Sequence, residues 1–304
     1  NEIGVAPGMM IRQEQKIMFL LPGPYNEMQH MVNAQVIPFL QKHFVKDACR
    51  SLTISLFGLP EADVDIGLRQ IIKDDKINTY VPVRFSIIAD QLIVSITISC
   101  SGSDEHAVQR TLNDMQLKIC RIFGDAVLDE GSRNLQEAAA KLCIRCKKTL
   151  SIAESCTGGG VSSLLTSIPG SSNFFKQGLI VYSNESKIRL LGVAEDMLKE
   201  HGAVSAQTAY AMAANLRMRA GTDYAVSLTG IAGPGSGTAL KKIGLVYIGL
   251  AGPEGTEVKE FNFSGDRWMI QKQAALNALD MLRKTLKLKR RCFFTDNSSL
   301  QAEE

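Results

Sequence analysis

The chain has 304 residues, of which 45% are hydrophobic and 21% charged, a composition typical of folded globular proteins. Its formal net charge of +3 at pH 7 is too small to indicate a nucleic-acid partner. The chain contains no apolar run of about 18 residues, so we expect neither a transmembrane helix nor a membrane partner. The length predicts two domains, each large enough to bury its own core.

The cysteines and the start of the chain bear on disulfides, metal binding and the cellular compartment. Seven cysteines at irregular spacings are odd in number and do not suggest a disulfide framework. Cys143 and Cys146 have the C-x-x-C spacing, but without a second pair they are predicted to be partly buried thiols, and no metal site is expected. The chain begins with Asn1 and has no basic-then-apolar signal segment, so we expect a cytoplasmic piece of a longer protein.

The sequence of residues 1–46 predicts one short strand and one helix. An apolar strand is predicted at 17–21, and Pro22-Gly23-Pro24 then turns the chain into a helix with apolar residues at helical spacing up to Leu40. One strand and one helix cannot enclose a core. This segment must therefore pack on its neighbours.

Residues 47–130 predict a small α+β unit. Its expected elements are strands at 52–57, 84–88 and 92–98 and helices at 62–72 and 104–123. The unit has no clustered carboxylates or metal ligands and no Gly-x-x-Gly loop of the kind that KH-type domains use to bind RNA. A packing or spacer role is therefore favoured over nucleic-acid binding.

Residues 131–287 predict one α/β domain, because strand patterns alternate with helical ones. The expected strands are 150–153, 175–182, 224–228, 244–250 and 258–263, the last two as a hairpin. The expected helices are 135–147, a segment starting near 161, 205–219 capped by Ser205, and a last helix from 267.

The segment Ser151–Gly160 has the order strand, tight turn and helix start. The run up to Ala153 leads through Ser155, Cys156 and Thr157 into three glycines. Glycines let the backbone approach a ligand, and the N–H groups of a helix start can bind negative charge or stabilise an oxyanion. An ordinary βα turn with small residues for packing is the alternative interpretation.

Several strands of this domain end in polar or glycine-rich loops. Ligands of open α/β sheets bind outside the carboxyl ends of the strands, between such loops. The residues collected there are Ser155, Thr157, Tyr182, Lys187, Thr229, Gly230 and Arg267. These residue types fit a binder of a small anionic molecule, because glycine-loop N–H groups and an arginine can hold a phosphate.

The same set suggests a hydrolase without a histidine base. His201 is predicted to be a surface residue at a helix end. A serine can instead be activated by a lysine whose amine is kept neutral by burial, which makes Ser155 and Lys187 a candidate pair. Cys156 is the rival nucleophile, and an ordinary solvated lysine is the alternative for Lys187.

Five motifs of the second half resemble the C-terminal domain of the CinA family. They are Ala153-Glu-Ser-Cys-Thr-Gly-Gly159, Tyr182-Ser-Asn-Glu185 with Lys187, His201-Gly-Ala-Val-Ser205, Thr229-Gly-Ile-Ala-Gly-Pro234 and Ser264-Gly-Asp-Arg267. The resemblance spans about residues 132–286. It implies a nicotinamide-nucleotide amidase that converts nicotinamide mononucleotide to nicotinic acid mononucleotide and ammonia by a Ser–Lys mechanism, with no cofactor.

The resemblance also implies roles for individual residues. Ser155 would be the nucleophile, Lys187 the general base and Tyr182 an assisting group. The residues implied to hold the nucleotide are Glu154, Thr157, Gly158, Gly159, Asn184, Thr229, Gly230 and Arg267. A homodimer that recycles pyridine nucleotides is the implied assembly and role.

The first half resembles the full-length form of the same family. Gly4-Val-Ala-Pro-Gly8 and Leu20-Leu-Pro-Gly-Pro24 look like the closing segment of its molybdopterin-binding-like domain, which is linked to ADP-ribose pyrophosphatase activity. The predicted organisation is a remnant of that domain at 1–46, a smaller KH-like α+β domain at 47–130, a three-layer-type α/β amidase domain at 131–287 and a flexible tail at 288–304.

One loop departs from the family pattern. A Pro-Glu-Lys-Pro-like stretch usually follows the second glycine loop, whereas Ala239-Leu-Lys-Lys242 stands here and retains Lys241 alone. This departure keeps a second hypothesis open, a non-catalytic nucleotide-binding protein of the family. Two further hypotheses are a fragment of a bifunctional ADP-ribose pyrophosphatase and amidase, and a protein that binds nucleic acid through residues 47–130.

Overall fold

The computed structural model describes residues 1–14, 16–44, 47–73, 81–90, 92–128, 131–235 and 241–297, with side chains up to Lys287. Its strands are β1 (Met9–Gln13), β2 (Lys16–Leu20), β3 (Ala48–Phe57), β4 (Val83–Asp90), β5 (Ile93–Gly102), β6 (Leu150–Glu154), β7 (Phe175–Ile180), β8 (Tyr224–Gly230), β9 (Leu245–Gly252) and β10 (Gly255–Asn262). Its helices are α1 (Tyr25–Met31), α2 (Ile37–Phe44), α3 (Glu61–Lys73), α4 (Glu105–Phe123), α5 (Leu135–Arg145), α6 (Gly160–Thr166), α7 (Asn184–Leu191), α8 (Glu195–His201), α9 (Ala206–Ala220) and α10 (Arg267–Asn297).

The contacts of the chain divide it into two compact units. One comprises Asn1–Leu52, Asp74–Ser86 and Thr97–Lys118. The other comprises Thr53–Lys73, Ile87–Ile96 and Ile119–Glu304. The domain boundaries predicted after residues 46, 130 and 287 stay predictions.

The elements of the first half follow the predicted order, with two additions. β1, which the sequence reasoning missed, pairs antiparallel with β2. The helix predicted after Pro24 is interrupted between α1 and α2 by a π-helical turn at Val32–Val36. The strands β3, β5 and β4 form a sheet in that order, and the predicted hairpin residue Gln91 lies outside the described residues.

The second half contains a five-stranded mixed sheet with the order β10-β9-β8-β6-β7. β6 runs parallel to β7 on one side and to β8 on the other. β9 is antiparallel to β8, and β10 returns as the predicted hairpin partner of β9.

Side chains alternate between the two faces of this sheet. Leu150 and Ile152 of β6 pack in a buried cluster with residues of α5, α6 and α10. Ala153, on the opposite face, packs in a second buried cluster with residues of α7, α8 and α9. Because apolar residues of β8 and β9 also divide between the clusters, helices cover both faces. The predicted three-layer α/β architecture is therefore confirmed.

α10 closes one face of the sheet and continues into the segment predicted as a tail. It runs to Asn297, so residues 288–297 extend the helix, and 298–304 lie outside the described residues. None of the helices in the described ranges is long and apolar enough to cross a membrane.

A buried arginine ties α10 to the chain that enters α5. Arg283 is fully buried and donates to the Asp280 carboxylate at 2.7 and 2.9 Å. It also donates to the carbonyls of Val127 at 3.0 Å and Asp125 at 2.6 Å. One side chain thus satisfies two carbonyl groups of the connecting segment, and its loss would leave buried polar atoms without donors.

Replacing this arginine should destabilise the fold strongly. We expect Arg283→Met to lower the free energy of unfolding by about 3 kcal/mol, because it leaves Asp280 Oδ1 and the carbonyls of Val127 and Asp125 without their Arg283 donors. Lys284 is the matched control, since its half-exposed ammonium also pairs with Asp280, at 2.8 Å. Lys284→Met should cost less than about 1 kcal/mol. Equal losses in denaturant unfolding would contradict this account.

Candidate active site

The candidate site forms where three parallel strands end. β6 lies between β7 and β8 and is parallel to both, so their carboxyl ends meet at one edge of the sheet. The chain leaves β6 through α6 on one face and returns to β8 through α7, α8 and α9 on the other. Such a point opens the crevice in which α/β sheets bind ligands. Ser155, Tyr182 and Gly230 stand at or just beyond these three strand ends.

The turn after β6 requires glycine at two positions. The φ angles are 62° at Gly158 and 102° at Gly159, a range that side-chain-bearing residues rarely adopt. A Cβ on Gly159 would also lie 3.2 Å from the Cδ1 atom of Ile180. The N–H of Ser155 donates to the Leu228 carbonyl at 3.0 Å, so β8 fixes the first residue of the turn.

Lys187, in α7, makes the central contact of the site. Its side chain is only 1% exposed. Its Nζ lies 3.1 Å from Ser155 Oγ, 2.8 Å from the Val181 carbonyl oxygen and 3.3 Å from the Tyr182 carbonyl oxygen. The structure thus brings together the predicted nucleophile and base in a direct hydrogen bond.

The surroundings of Lys187 favour its neutral form. Burial lowers the pKa of the amine from its ordinary 10.5, because a buried ammonium loses its hydration, while the Cys156 thiol acts in the opposite direction. A neutral amine has two N–H donors and one lone pair. In the neutral form, the Val181 and Tyr182 carbonyls can accept the two donors, and the lone pair is then free to accept the Ser155 hydroxyl. The arrangement is compatible with a general base.

The rival nucleophile, Cys156, lies in a less favourable environment. Burial raises the pKa of its thiol to about 12, and this effect outweighs the lowering by the Cys156 backbone N–H, Lys187 and Arg267. The thiol is therefore protonated near neutral pH, and only a thiolate is a strong nucleophile. The Cys156 carbonyl accepts from Gln271 Nε2 at 2.7 Å, which holds the turn to α10.

The Glu154 carboxylate lies fully buried beneath the turn. Its Oε2 accepts from Thr157 Oγ1 at 2.6 Å and from the N–H groups of Gly159 at 3.1 Å and Val161 at 3.0 Å. Its Oε1 accepts from the N–H of Ser162 at 2.8 Å and the hydroxyl of the same residue at 2.7 Å. A contact between Glu154 and substrate would require this network to open, so the structure gives the carboxylate a place in the turn.

This network changes which N–H groups can meet an anion. The glycine N–H groups were expected to bind an anion. However, Gly158 donates to the Ser155 carbonyl at 3.2 Å and Gly160 to the Thr157 carbonyl at 3.1 Å. Gly159 donates to Glu154. Within the described ranges, the N–H groups of Cys156 and Thr157 donate to no protein oxygen. These two N–H groups adjoin Ser155 and are the better candidates for an oxyanion.

A cavity of about 520 Å³ opens on the other side of Tyr182. Its wall includes Tyr182, Gly230, Gly233, Lys241 and Arg267. Arg267 Nη1 donates to the Gly233 carbonyl at 2.6 Å, and Nη2 donates to the Tyr182 hydroxyl at 3.1 Å. The phenol of Tyr182 is exposed and reaches the cavity, whereas its carbonyl faces Lys187. Tyr182 therefore joins the two parts of the site.

The other residues that were predicted to bind the nucleotide differ in how close they lie to the cavity. The Thr229 side chain is buried behind the wall and donates to the Ala203 carbonyl at 2.6 Å. Gly230 lines the cavity, and a Cβ there would lie 2.7 Å from the Leu245 carbonyl oxygen. Asn184 is exposed at the start of α7, where its side chain makes no hydrogen bond to a described residue.

Lys241, which belongs to the loop that differs from the family pattern, makes two hydrogen bonds to backbone carbonyls. Residues 236–240 lie outside the described residues, but Lys241 Nζ donates to the carbonyls of His201 at 2.9 Å and Val204 at 2.7 Å. His201 is the last residue of α8, as predicted for a helix end. The retained lysine thus fixes the segment that forms one wall of the cavity.

A family model described as the CinA C-terminal domain matches residues 132–286. A CinA-like protein of Endomicrobium trichonymphae is 39% identical over 294 residues, which cover 94% of this chain and 68% of that protein. The chain belongs to the CinA family.

Two solved structures of competence/damage inducible proteins are also similar. The CihA protein of Agrobacterium tumefaciens is 37% identical, with 50% of this chain and 93% of that chain covered and a TM-score of 0.49. The protein of Enterobacter asburiae is 33% identical, with 51% and 99% covered and a TM-score of 0.49.

Some residues that shape the site of this CinA-family chain were missed from sequence. The Val181 carbonyl and Gln271 carry no signal, because a buried carbonyl and a surface-type amide look ordinary in a sequence. Ala203 and Val204 lie in the His201–Ser205 motif, which could have placed them at the cavity. The described residues contain no group of three or more His, Cys, Asp or Glu that could hold a metal ion.

The two turn glycines offer a graded test of this geometry. Gly159→Ala should lower the free energy of unfolding by about 2 kcal/mol, because a φ of 102° is strained for alanine, while the exposed Ile180 side chain can move away from the added Cβ. Gly158→Ala should cost about 1 kcal/mol, since its φ is near the left-handed minimum and the space is open. Equal losses in denaturant unfolding would show that the turn is not constrained as described.

Proposed function

We propose that this CinA-family protein is a nicotinamide-nucleotide amidase that hydrolyses nicotinamide mononucleotide to nicotinic acid mononucleotide and ammonia. The observation that carries the proposal is the 3.1 Å contact between Ser155 Oγ and the buried amine of Lys187. The resemblance of the motifs to the family's amidase domain suggests the substrate. The names of the relatives speak of competence and damage induction and do not state an activity.

The reaction follows from the placement of these two side chains. Ser155 Oγ attacks the carboxamide carbon while its proton passes to Lys187 Nζ. The carbon–nitrogen bond breaks, and Lys187 returns the proton to the leaving nitrogen, which departs as ammonia. Water then attacks the ester on Ser155 while one of its protons passes to Lys187. The bond between the carbon and Ser155 Oγ breaks, Lys187 returns the proton to Oγ, and the acid product leaves as a carboxylate after losing its own proton to solvent. The overall reaction consumes one water for each ammonia.

The negative oxygen of each tetrahedral intermediate needs donors beside Ser155. The N–H groups of Cys156 and Thr157 fit this requirement, because they follow the nucleophile directly and donate to no other oxygen within the described ranges. Loss of one such donor typically costs about 10²–10³-fold in rate. Their backbone position also makes the donors independent of side-chain substitution.

The cavity beside Tyr182 suits the phosphate end of a mononucleotide. Two N–H groups of Arg267 are taken by the Gly233 carbonyl and the Tyr182 hydroxyl. A guanidinium has five N–H donors, so the others can bind phosphate oxygens. The fixed orientation of the guanidinium lowers the entropy cost of that binding.

Ammonia release tests the reaction and both residues together. We expect the wild-type chain to release ammonia from nicotinamide mononucleotide, and Ser155→Ala and Lys187→Met to lose this activity by at least about 10³-fold. Cys156→Ala is the matched control and should keep it within about threefold. Nucleotide binding without ammonia release by wild type would favour the non-catalytic hypothesis. Loss in Cys156→Ala alone would move the nucleophile to the thiol.

The rate should rise with pH. Only the neutral amine of Lys187 can accept the serine proton, and burial lowers its pKa. The fraction of active enzyme therefore grows as pH increases and levels off before the ordinary pKa of 10.5 is reached. Measuring kcat across about pH 6–10 checks this expectation. A rate that falls over that range would exclude Lys187 as the base.

A further inference from the structure

We propose that Glu154 is a positioning residue for the amidase reaction, which holds the turn so that Ser155 and the N–H groups of Cys156 and Thr157 face the substrate. This inference rests on the proposed function, but it concerns a residue that never touches the substrate. Its basis is the set of five hydrogen bonds to one fully buried carboxylate.

The start of α6 has no side-chain cap of its own. The first N–H groups of any helix have no partner inside the helix and are usually capped by a side chain at the N-cap position. Ser183 and Ser205 cap α7 and α9 in this way. The N-cap of α6 is Gly159, which has no side chain. Glu154 supplies the missing acceptor from the end of β6.

Hydrogen bonds hold the chain on both sides of Ser155. The Glu154 carbonyl accepts from the Val181 N–H at 2.8 Å, and the Ser155 N–H donates to the Leu228 carbonyl at 3.0 Å. Both flanking strands therefore fix the backbone immediately before the nucleophile. The Glu154 side chain fixes the chain beyond the nucleophile, through Gly159, Val161 and Ser162. Glu154 thus anchors the turn on both sides of Ser155, with its carbonyl before the nucleophile and its carboxylate beyond it.

The charge of the Glu154 carboxylate is compensated within the turn. A carboxylate next to the nucleophile in sequence would repel a developing oxyanion if its own charge were uncompensated. Five donors on its two oxygens compensate it and occupy the positive end of α6. An anion is consequently excluded from the α6 N-terminus. The N–H groups of Cys156 and Thr157 remain for it.

Glu154→Gln is a sharp probe because the amide keeps the shape of the side chain. Its NH₂ group must replace either Oε1, which faces the Ser162 N–H, or Oε2, which faces the Gly159 and Val161 N–H groups. Either choice sets a donor against a backbone donor, so the turn must shift. Ser162→Ala is a milder second variant, since it removes one hydroxyl and leaves the carboxylate in place.

The experiment compares kcat, KM and Ser155 labelling in folded protein. We expect Glu154→Gln to lower kcat for nicotinamide mononucleotide by about 100-fold with KM changed less than about threefold, because the cavity wall is intact. Ser162→Ala should lower kcat less, in the same direction. The pH midpoint of kcat should stay unchanged, since no described contact joins the Glu154 carboxylate to Lys187.

Labelling by a fluorophosphonate tests the turn without the natural substrate. Ser155 Oγ forms a bond to phosphorus, fluoride leaves, and the serine proton passes to Lys187. The labelling rate should fall about as much as kcat in Glu154→Gln. The matched control is Glu137→Gln at the start of α5, where Glu137 Oε2 accepts from the Arg133 N–H at 2.9 Å. Glu137→Gln should leave both rates within about twofold.

The outcomes separate this inference from the proposed function. Wild-type labelling without ammonia release, with slower labelling of Glu154→Gln, would support the positioning role and reject the amidase. Ammonia release by wild type and an unchanged kcat in Glu154→Gln would overturn the positioning role alone. Losses that match only the unfolded fraction would also overturn it. A wild-type chain that shows neither ammonia release nor labelling would overturn both.

Discussion

The burial of the Lys187 amine against three oxygen atoms is the interaction on which the candidate site depends. Burial disfavours the ammonium, and the carbonyls of Val181 and Tyr182 satisfy the N–H groups that the neutral amine retains. In that neutral form, the remaining lone pair can accept the Ser155 hydroxyl. A lysine left in solvent would hold its proton at neutral pH and could not accept another.

This arrangement has a thermodynamic consequence. The folded chain binds the Lys187 proton more weakly than the unfolded chain does, because the pKa of the folded form is lowered. Unfolding therefore takes up a proton in the range between the lowered pKa and 10.5, and the contribution of this group to stability rises with pH there. At lower pH, where both forms are protonated, the buried ammonium lowers stability by its full amount. The burial that lowers the pKa of Lys187 therefore also lowers the stability of the folded chain at pH values where the amine is protonated.

The division of N–H groups around the turn is the second constraint. Glu154 takes the N–H groups of Gly159, Val161 and Ser162, which would otherwise form an anion site at the start of α6. The N–H groups of Cys156 and Thr157, next to Ser155, donate to no protein oxygen within the described ranges. Under the proposed amidase function, these two groups would bind the oxyanion and Arg267 would bind the substrate phosphate. The Glu154 carboxylate would then keep the two negative charges of that reaction apart.

Local patterns predicted much of the fold. The apolar run at Leu150–Ala153 and the Ser205 cap predicted β6 and α9 with bounds close to those observed, because both signals depend on neighbours in sequence. β1 was missed, since its residues are exposed and lack alternation. The break between α1 and α2 was missed as well.

The candidate site was predicted by residue type, but its detailed roles depend on tertiary geometry. The pairing of Ser155 with Lys187 was predicted, and the hydrogen bond between them joins residues 32 positions apart in the chain. Glu154 was assigned to the substrate because it lies in a motif, and only the fold shows its carboxylate turned into the protein. The glycine N–H groups were expected to bind an anion for the same reason. Sequence spacing cannot tell which donors are already taken.

Direct titration of the Lys187 amine tests the central claim. Lysine labelled with ¹³C at Cε allows each side chain to be followed by NMR as pH changes, and Lys187→Met identifies the resonance. Lys187 is expected to titrate clearly below 10.5, its ordinary pKa. A Lys187 resonance that titrates at or above 10.5 would contradict this expectation, because a protonated amine cannot activate Ser155.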